Sequence, residues 1–319
     1  MTMSRYSRWL AGCLVAAALG GISHADAVNI RDAQGRDVVV KDASRIVSIG
    51  GAVTEILYAL GQGDRVVAVD ISSMYPPEAL KTKPSVGYFR QLSPEGVIGL
   101  APSLILAADG AGPKDAVSVL EAAAIPFVRV PDHYNGEGVI EKIRLIAKAV
   151  GVENRGACLE RVVAEDLAAL SAMRDQIKSP VRVMFLFSFM NGRPMVAGRG
   201  TAADGIIRMA GGKNVFDGFE GYKQVNDEAI IAAAPDLVLS MQRSGQDLDA
   251  AGVFSNPAFA QTPAAAGKRF YSMDVMYMLG FGPRVARAAR DLNQKLYPDL
   301  QVTALPSDTQ DRAAQLCAK

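Results

Sequence analysis

Tyr88 is the residue with the clearest capacity for chemistry. Its phenol, as phenolate, is a hard anionic oxygen donor suited to ferric iron; Gly87 precedes it and Arg90 follows two residues on. A guanidinium at that spacing can stabilise the phenolate or pair with a carboxylate of a ligand. The bland alternative for Tyr88 is a half-buried tyrosine with its hydroxyl on a backbone carbonyl. Four later stretches collect aromatics, methionines and cations: 189–193 with Met190 and Arg193, Tyr222 with Lys223, 241–243 ending at Arg243, and 273–277 ending at Tyr277. That mixture suits a flat, polarizable ligand that also carries acid groups.

Other chemistries are poorly supplied. The only histidines are His24 and His133, so imidazoles cannot build a zinc or manganese site. Cys13, Cys158 and Cys317 are too few and too far apart for a zinc or iron–sulfur framework; Cys158 and Cys317 form either a disulfide or two unpaired thiols, and their spacing does not decide. No Gly-x-Ser-x-Gly elbow, phosphate-binding loop or dinucleotide fingerprint occurs, so the chain reads as a binder rather than an enzyme.

The first 25 residues have the shape of an export signal: Arg5 and Arg8, an uncharged apolar run over 10–22, and Ser23, His24 and Ala25 before Asp26. Residues 10–13 resemble a lipoprotein processing box, but a cut there leaves most of the apolar run on the product, which favours a soluble periplasmic form. The whole chain carries +1, and without Arg5 and Arg8 it carries −1. Such a balance offers no basic field for nucleic acid.

The elements that must position these residues alternate as in parallel α/β proteins. Strands are expected at 45–49, 66–69, 104–107 and 127–130, then at 181–187 and 237–239; helices at 53–60, from Ser93 onward, at 117–124, 202–210 and 227–234. Residues 92–107 lie over 225–240 without a gap, matching Glu95 with Glu228 and Pro102 with Pro235; just upstream, Gly87-Tyr88 corresponds to Gly221-Tyr222 if one residue is skipped. This is a structural duplication. Between the halves, apolar residues at helical spacing over 153–178 predict one helix of roughly 25 residues and about 38 Å. The expected organisation is an N-terminal lobe at 26–150, the connecting helix within 151–179, a C-terminal lobe at 180–299, and a partly disordered tail over 300–319.

Two similar parallel-sheet lobes, one long connecting helix and an export signal are the build of helical-backbone solute-binding proteins. Within that class, 48–61, 86–92, 194–198 with 201–204, and 279–284 make the mature chain resemble the periplasmic haem-binding proteins of bacterial haem-uptake ABC importers. The resemblance implies haem b as transported ligand, Tyr88 as iron ligand, and Arg90, Met190, Arg193, Arg243 and Tyr277 as residues that touch the haem or tune the ligand. Arg243 is the expected hydrogen-bond donor to the tyrosine oxygen. Some members of that family use a histidine near 189–191; this chain has none there, which implies five-coordinate haem or a weak Met190 contact. Glu95 and Glu228 would dock a monomer onto an inner-membrane permease dimer and its ATPase. A ferric siderophore or cobalamin is the alternative cargo for the same fold.

Overall fold

The computed structural model describes residues 27–190, 192–242, 248–301, 304–308 and 317; the export segment 1–25 and Arg243 lie outside them. Strands form where short aliphatic runs are buried on both faces, as a parallel sheet requires. After a hairpin of β1 (Val28–Arg31) and β2 (Asp37–Val40), the strands β3 (Ile46–Ile49), β4 (Val66–Val69), β5 (Leu104–Ala108) and β6 (Phe127–Val130) pair in parallel in the order β4-β3-β5-β6. Every residue of β3 is buried. Around this sheet lie α1 (Gly51–Ala59), α2 (Pro77–Thr82), α3 (Pro94–Ile98), α4 (Lys114–Ala122) and α5 (Gly136–Ala149). The helix α5 is not among the expected elements; Asn135 caps it by accepting from the Gly138 N–H.

The long helix α6 (Glu153–Arg174) leads to the second lobe. There β7 (Arg182–Met190), β8 (Arg193–Ala197), β9 (Lys213–Asn214), β10 (Tyr222–Gln224), β11 (Leu237–Gln242) and β12 (Phe270–Asp274) form a sheet of order β10-β8-β7-β11-β12, with β9 also on β7. Its helices are α7 (Ala202–Met209), α8 (Asp227–Ala233), the short α9 (Ala250–Phe254), α10 (Pro257–Ala260) and α11 (Pro263–Ala266), then α12 (Val275–Leu279) and α13 (Val285–Leu296). This sheet is mixed where the sequence predicts a parallel one. Met190 pairs directly with Arg193, and so short a connection permits only antiparallel return, which β10 then extends.

The duplication is visible in the backbone. Ser93 and Asn226, aligned in sequence, each cap a helix by accepting the N–H three residues on. Ala101 and Ala234, also aligned, both take the left-handed conformation, φ 46° and 43°, immediately before a proline. Few non-glycine residues do so, and two at matched positions mark one repeated supersecondary unit.

One apolar core runs through both lobes. It joins Ile46, Leu104 and Val128 of the first sheet to Phe185 and Leu239 of the second through Ile143, Leu159, Val163, Leu170 and Leu292, while smaller clusters cover the outer faces of the two sheets. The helix α6 has 22 residues, about 33 Å, so it is shorter than its apolar pattern suggested. Ile177 lies beyond the helix, yet its side chain still packs against Gly211 of the second lobe.

Part of the tail is tied to the rest of the chain. Residues 304–308 are docked rather than loose: Leu305 and Ser307 are buried, Asp166 of α6 accepts from the Ser307 N–H at 3.0 Å and from its hydroxyl, and Arg290 pairs with Asp308. Cys158 and Cys317 form a disulfide, settling the alternative that sequence spacing left open. A 159-residue separation hid that pairing from any local pattern.

The lobes also meet directly. Arg284 donates to Glu55 through Nε at 2.9 Å and Nη2 at 3.0 Å, with the Tyr75 ring 3.5 Å beneath its guanidinium carbon. Tyr134 enters the second lobe at Gly205 and meets the Phe281 ring edge-on at 5.3 Å. A Cβ on Gly205 would lie 2.5 Å from the Tyr134 carbonyl oxygen, a backbone atom that cannot swing aside. Gly205→Val should therefore lower stability by about 1–3 kcal/mol in chemical denaturation, the range for overpacking a tight contact.

Candidate functional site

The carboxyl ends of the strands carry the loops that face across the lobes, the usual place for a ligand in such sheets. In the first lobe the buried Asp70 fixes this edge by accepting from the N–H groups of Gly50 at 2.8 Å and Ser72 at 2.9 Å. The next backbone bond, Ile71 N–H to Gly87 carbonyl at 2.9 Å, ties the Tyr88 loop to it. Further bonds from Leu92 to Gly112 and from Gly112 to Phe89 hold the other side. Gly87 adopts φ 85°, a conformation a side chain would strain, and it turns Tyr88 outward. Tyr88 is 37 % exposed and meets Phe89 edge-on at 5.0 Å, while Arg90 lies over the Phe89 ring at 4.9 Å.

On the second lobe, Met190 is 45 % exposed at the end of β7, with the exposed Arg193 paired opposite and the Gln224 amide donating to the Met190 carbonyl at 3.2 Å. Tyr222 opens β10, exposed, with its ring 5.2 Å from Phe187; Lys223 reaches over Phe219 at 5.0 Å. Sequence composition places Tyr222 with Lys223 in a lining stretch but gives it no role of its own. The signal that points to it is the duplication: like Tyr88 it follows a glycine with positive φ, 74° at Gly221.

Burial divides the tyrosines. It pushes the phenols of Tyr58, Tyr134, Tyr271, Tyr277 and Tyr297 above their ordinary range, so they hold their protons and make poor anionic donors. Tyr88 and Tyr222 are the exposed ones among the described residues. Tyr277 sits beside the Arg284–Glu55 contact between the lobes: its hydroxyl donates to Asp291 of α13 at 2.8 Å, and Arg284 stands 5.2 Å from its ring centroid. Its immediate partners are therefore structural. His133 is exposed and lies 3.0 Å from Glu141, a partner on its own lobe. Glu95 and Glu228 are both exposed in the first turns of α3 and α8, and Glu95 also accepts from Ser93 at 3.1 Å.

The arrangement offers an outward phenol on one lobe, aromatic surface on both, the Met190 thioether on the second, and the cations Arg90, Arg193 and Lys223. It can grip an apolar disc bearing carboxylates and supply one oxygen to a metal at its centre.

Known proteins place the chain independently. Its residues 46–276 match the family model described as periplasmic binding protein. The solved periplasmic heme-binding protein RhuT from Roseiflexus sp. RS-1, in apo form, is similar at 37 % identity and TM-score 0.75, covering 82 % of this chain and all of that one. Among curated proteins, the uncharacterized ABC transporter substrate-binding lipoprotein YvrC of Bacillus subtilis (strain 168) is 29 % identical over 276 residues, 85 % of this chain and 86 % of its own. The vitamin B12-binding protein of Vibrio campbellii (strain ATCC BAA-1116) is 27 % identical over 206 residues, 63 % of this chain and 72 % of its own. With a family match over most of its length and a solved relative aligned end to end, this chain belongs to the periplasmic binding protein family and is a substrate-binding transport protein rather than an enzyme.

Proposed function

We propose that this protein captures haem b in the periplasm, after export by its cleavable signal, and hands it to an inner-membrane ABC permease. Tyr88 supplies the axial oxygen to ferric iron. The observation that carries this reading is its placement: a solvent-reached phenol on a backbone loop pinned at both sides, while burial keeps five other tyrosines protonated. Arg90, Arg193 and Lys223 neutralise the propionates, Met190 and Tyr222 line the second lobe's side of the disc, and Tyr277 shapes the hinge behind it. Glu95 and Glu228, borne on duplicated helices, engage the two permease subunits, and the protein works as a monomer. Arg243 is the proposed donor to the iron-bound phenolate oxygen.

Cobalamin is the second reading, favoured by the B12-binding relative. Its corrin brings its own axial base, so no phenolate is required. Thermal unfolding with each ligand at one common concentration, a hundred times the dissociation constant of haemin, separates the two. Haemin should raise stability by about 2.7 kcal/mol, on the order of 5 °C for a chain of this size, with no shift from cyanocobalamin or a ferric hydroxamate. The reverse ranking overturns the proposal.

A further inference from the structure

Among the described residues Lys142 is the largest fully buried side chain, 2 % exposed on the apolar face of α5 beside Val139, Ile143 and Ile146. An ammonium there is costly unless paired, and a methionine would fill the same space without that cost. Its partner is Asp132, whose Oδ1 accepts from Nζ at 2.6 Å. The other carboxylate oxygen accepts from the Tyr134 hydroxyl at 3.2 Å. Asp132 is not itself sealed off, its side chain being 29 % exposed.

Strand order brings this group to the ligand side. Asp132 lies just past β6, the neighbour of β5; the loop after β5 bonds to both sides, through Asp109 N–H to Val130 carbonyl at 2.9 Å and through Gly112 N–H to Phe89 carbonyl at 2.9 Å. The Asp132 and Arg90 loops thus flank the same segment. The Tyr134 phenol lies within electrostatic range of Asp132, Arg90 and, from the opposite lobe, Tyr222. Arg90 is exposed, and its guanidinium lies over the face of Phe89. An uncompensated carboxylate at 132 would compete for that guanidinium.

We infer that Lys142 is a positioning residue for the cleft: by neutralising Asp132 from within the core, it keeps Arg90 available to the anionic ligand. The inference rests on the reading that Tyr88 and Arg90 face the haem. It also explains why a charge is retained where an apolar residue would pack equally well.

The test is a set of haemin titrations of the full mature chain, followed by absorbance, with folding of each variant checked by circular dichroism. Lys142→Met should weaken haemin binding on the order of tenfold, the worth of one charge-assisted contact. Adding Asp132→Asn to it should restore affinity to within about threefold of wild type. In an Arg90→Gln background, Lys142→Met should have no further effect. If the Asp132→Asn/Lys142→Met protein stays as weak as Lys142→Met, or if the Arg90→Gln and Lys142→Met losses add, Lys142 is only structural and the inference fails. Should Lys142→Met alone not fold, the double variant decides by itself: near wild-type affinity supports the inference, and a tenfold loss overturns it. A wild-type complex lacking tyrosinate absorption would overturn the role of Tyr88, while the affinity ranking would still decide that of Lys142.

Discussion

Phenylalanine at position 88 is expected to weaken haemin binding by more than about 100-fold, because changing a mere outer-shell partner of a metal ligand already costs 10–100-fold and here the donor atom itself is removed. Stability should change by less than about 0.5 kcal/mol, since Tyr88 is 37 % exposed and Gly87 and the loop's backbone bonds, not the hydroxyl, set its place. Loss of affinity with an unchanged melting curve would separate a ligand from a packing residue. Tyr222→Phe provides the contrast. That residue borders the disc in this account without bonding to iron, so its variant should keep affinity within about tenfold. Competition for haemin against apomyoglobin, run on both variants, measures the difference.

The second large effect concerns the tail. Opening the Cys158–Cys317 bridge, by alanine at both positions, should lower stability by about 3–5 kcal/mol, because the bridge closes a very long loop and removes that entropy from the unfolded chain. The bridge joins the tail to the first turns of α6, a part of the helix that packs on the first lobe through the close contact of Gly156 with Ala147. Between its ends the tail makes its own bonds at Ser307 and Asp308, so the loss should be partial and the second lobe should remain folded. Urea denaturation of the oxidised wild type and the double-alanine protein gives the difference directly. Equal midpoints would mean that the bridge contributes nothing. Haemin affinity should be almost unchanged, because the Tyr88 loop is held by its own backbone bonds to Ile71 and Gly112.

Much of this molecule is legible in its sequence, for physical reasons that differ by element. The parallel strands β3 to β6 read clearly because burial on both faces leaves uninterrupted aliphatic runs. The duplication survives because a helix cap, a left-handed alanine and a proline recur at fixed spacing, and each has a strict local cause. Elements fixed by distant partners are silent. The strand β10 is three exposed residues that exist because β8 returns beside β7, and residues 306–308 are placed by Asp166, Arg287 and Arg290 rather than by periodicity.

The candidate site is legible only in part. Tyr88 stands in a glycine-led loop, and its duplicated position identifies Tyr222 once the repeat is taken seriously. Tyr277 shares the right composition, but Asp291 and Arg284, both remote from the first lobe's loops in sequence, hold it at the contact between the lobes. Lys142 is more instructive. Val139, Lys142, Ile143 and Ile146 share one helical face, so a lysine there announces a buried charge as soon as α5 is recognised. Its partner Asp132, in a loop ten residues back, becomes apparent only when the chain is folded.

The central claim is that a phenolate at position 88 holds porphyrin iron between the lobes. The most direct measurement is the visible absorption spectrum of the purified wild-type protein titrated with haemin, with bound iron per chain determined on the same samples. Wild type should show a saturable Soret band together with tyrosinate-to-iron charge-transfer absorption that Tyr88→Phe lacks. A saturated complex whose spectrum is the same in wild type and Tyr88→Phe would contradict it.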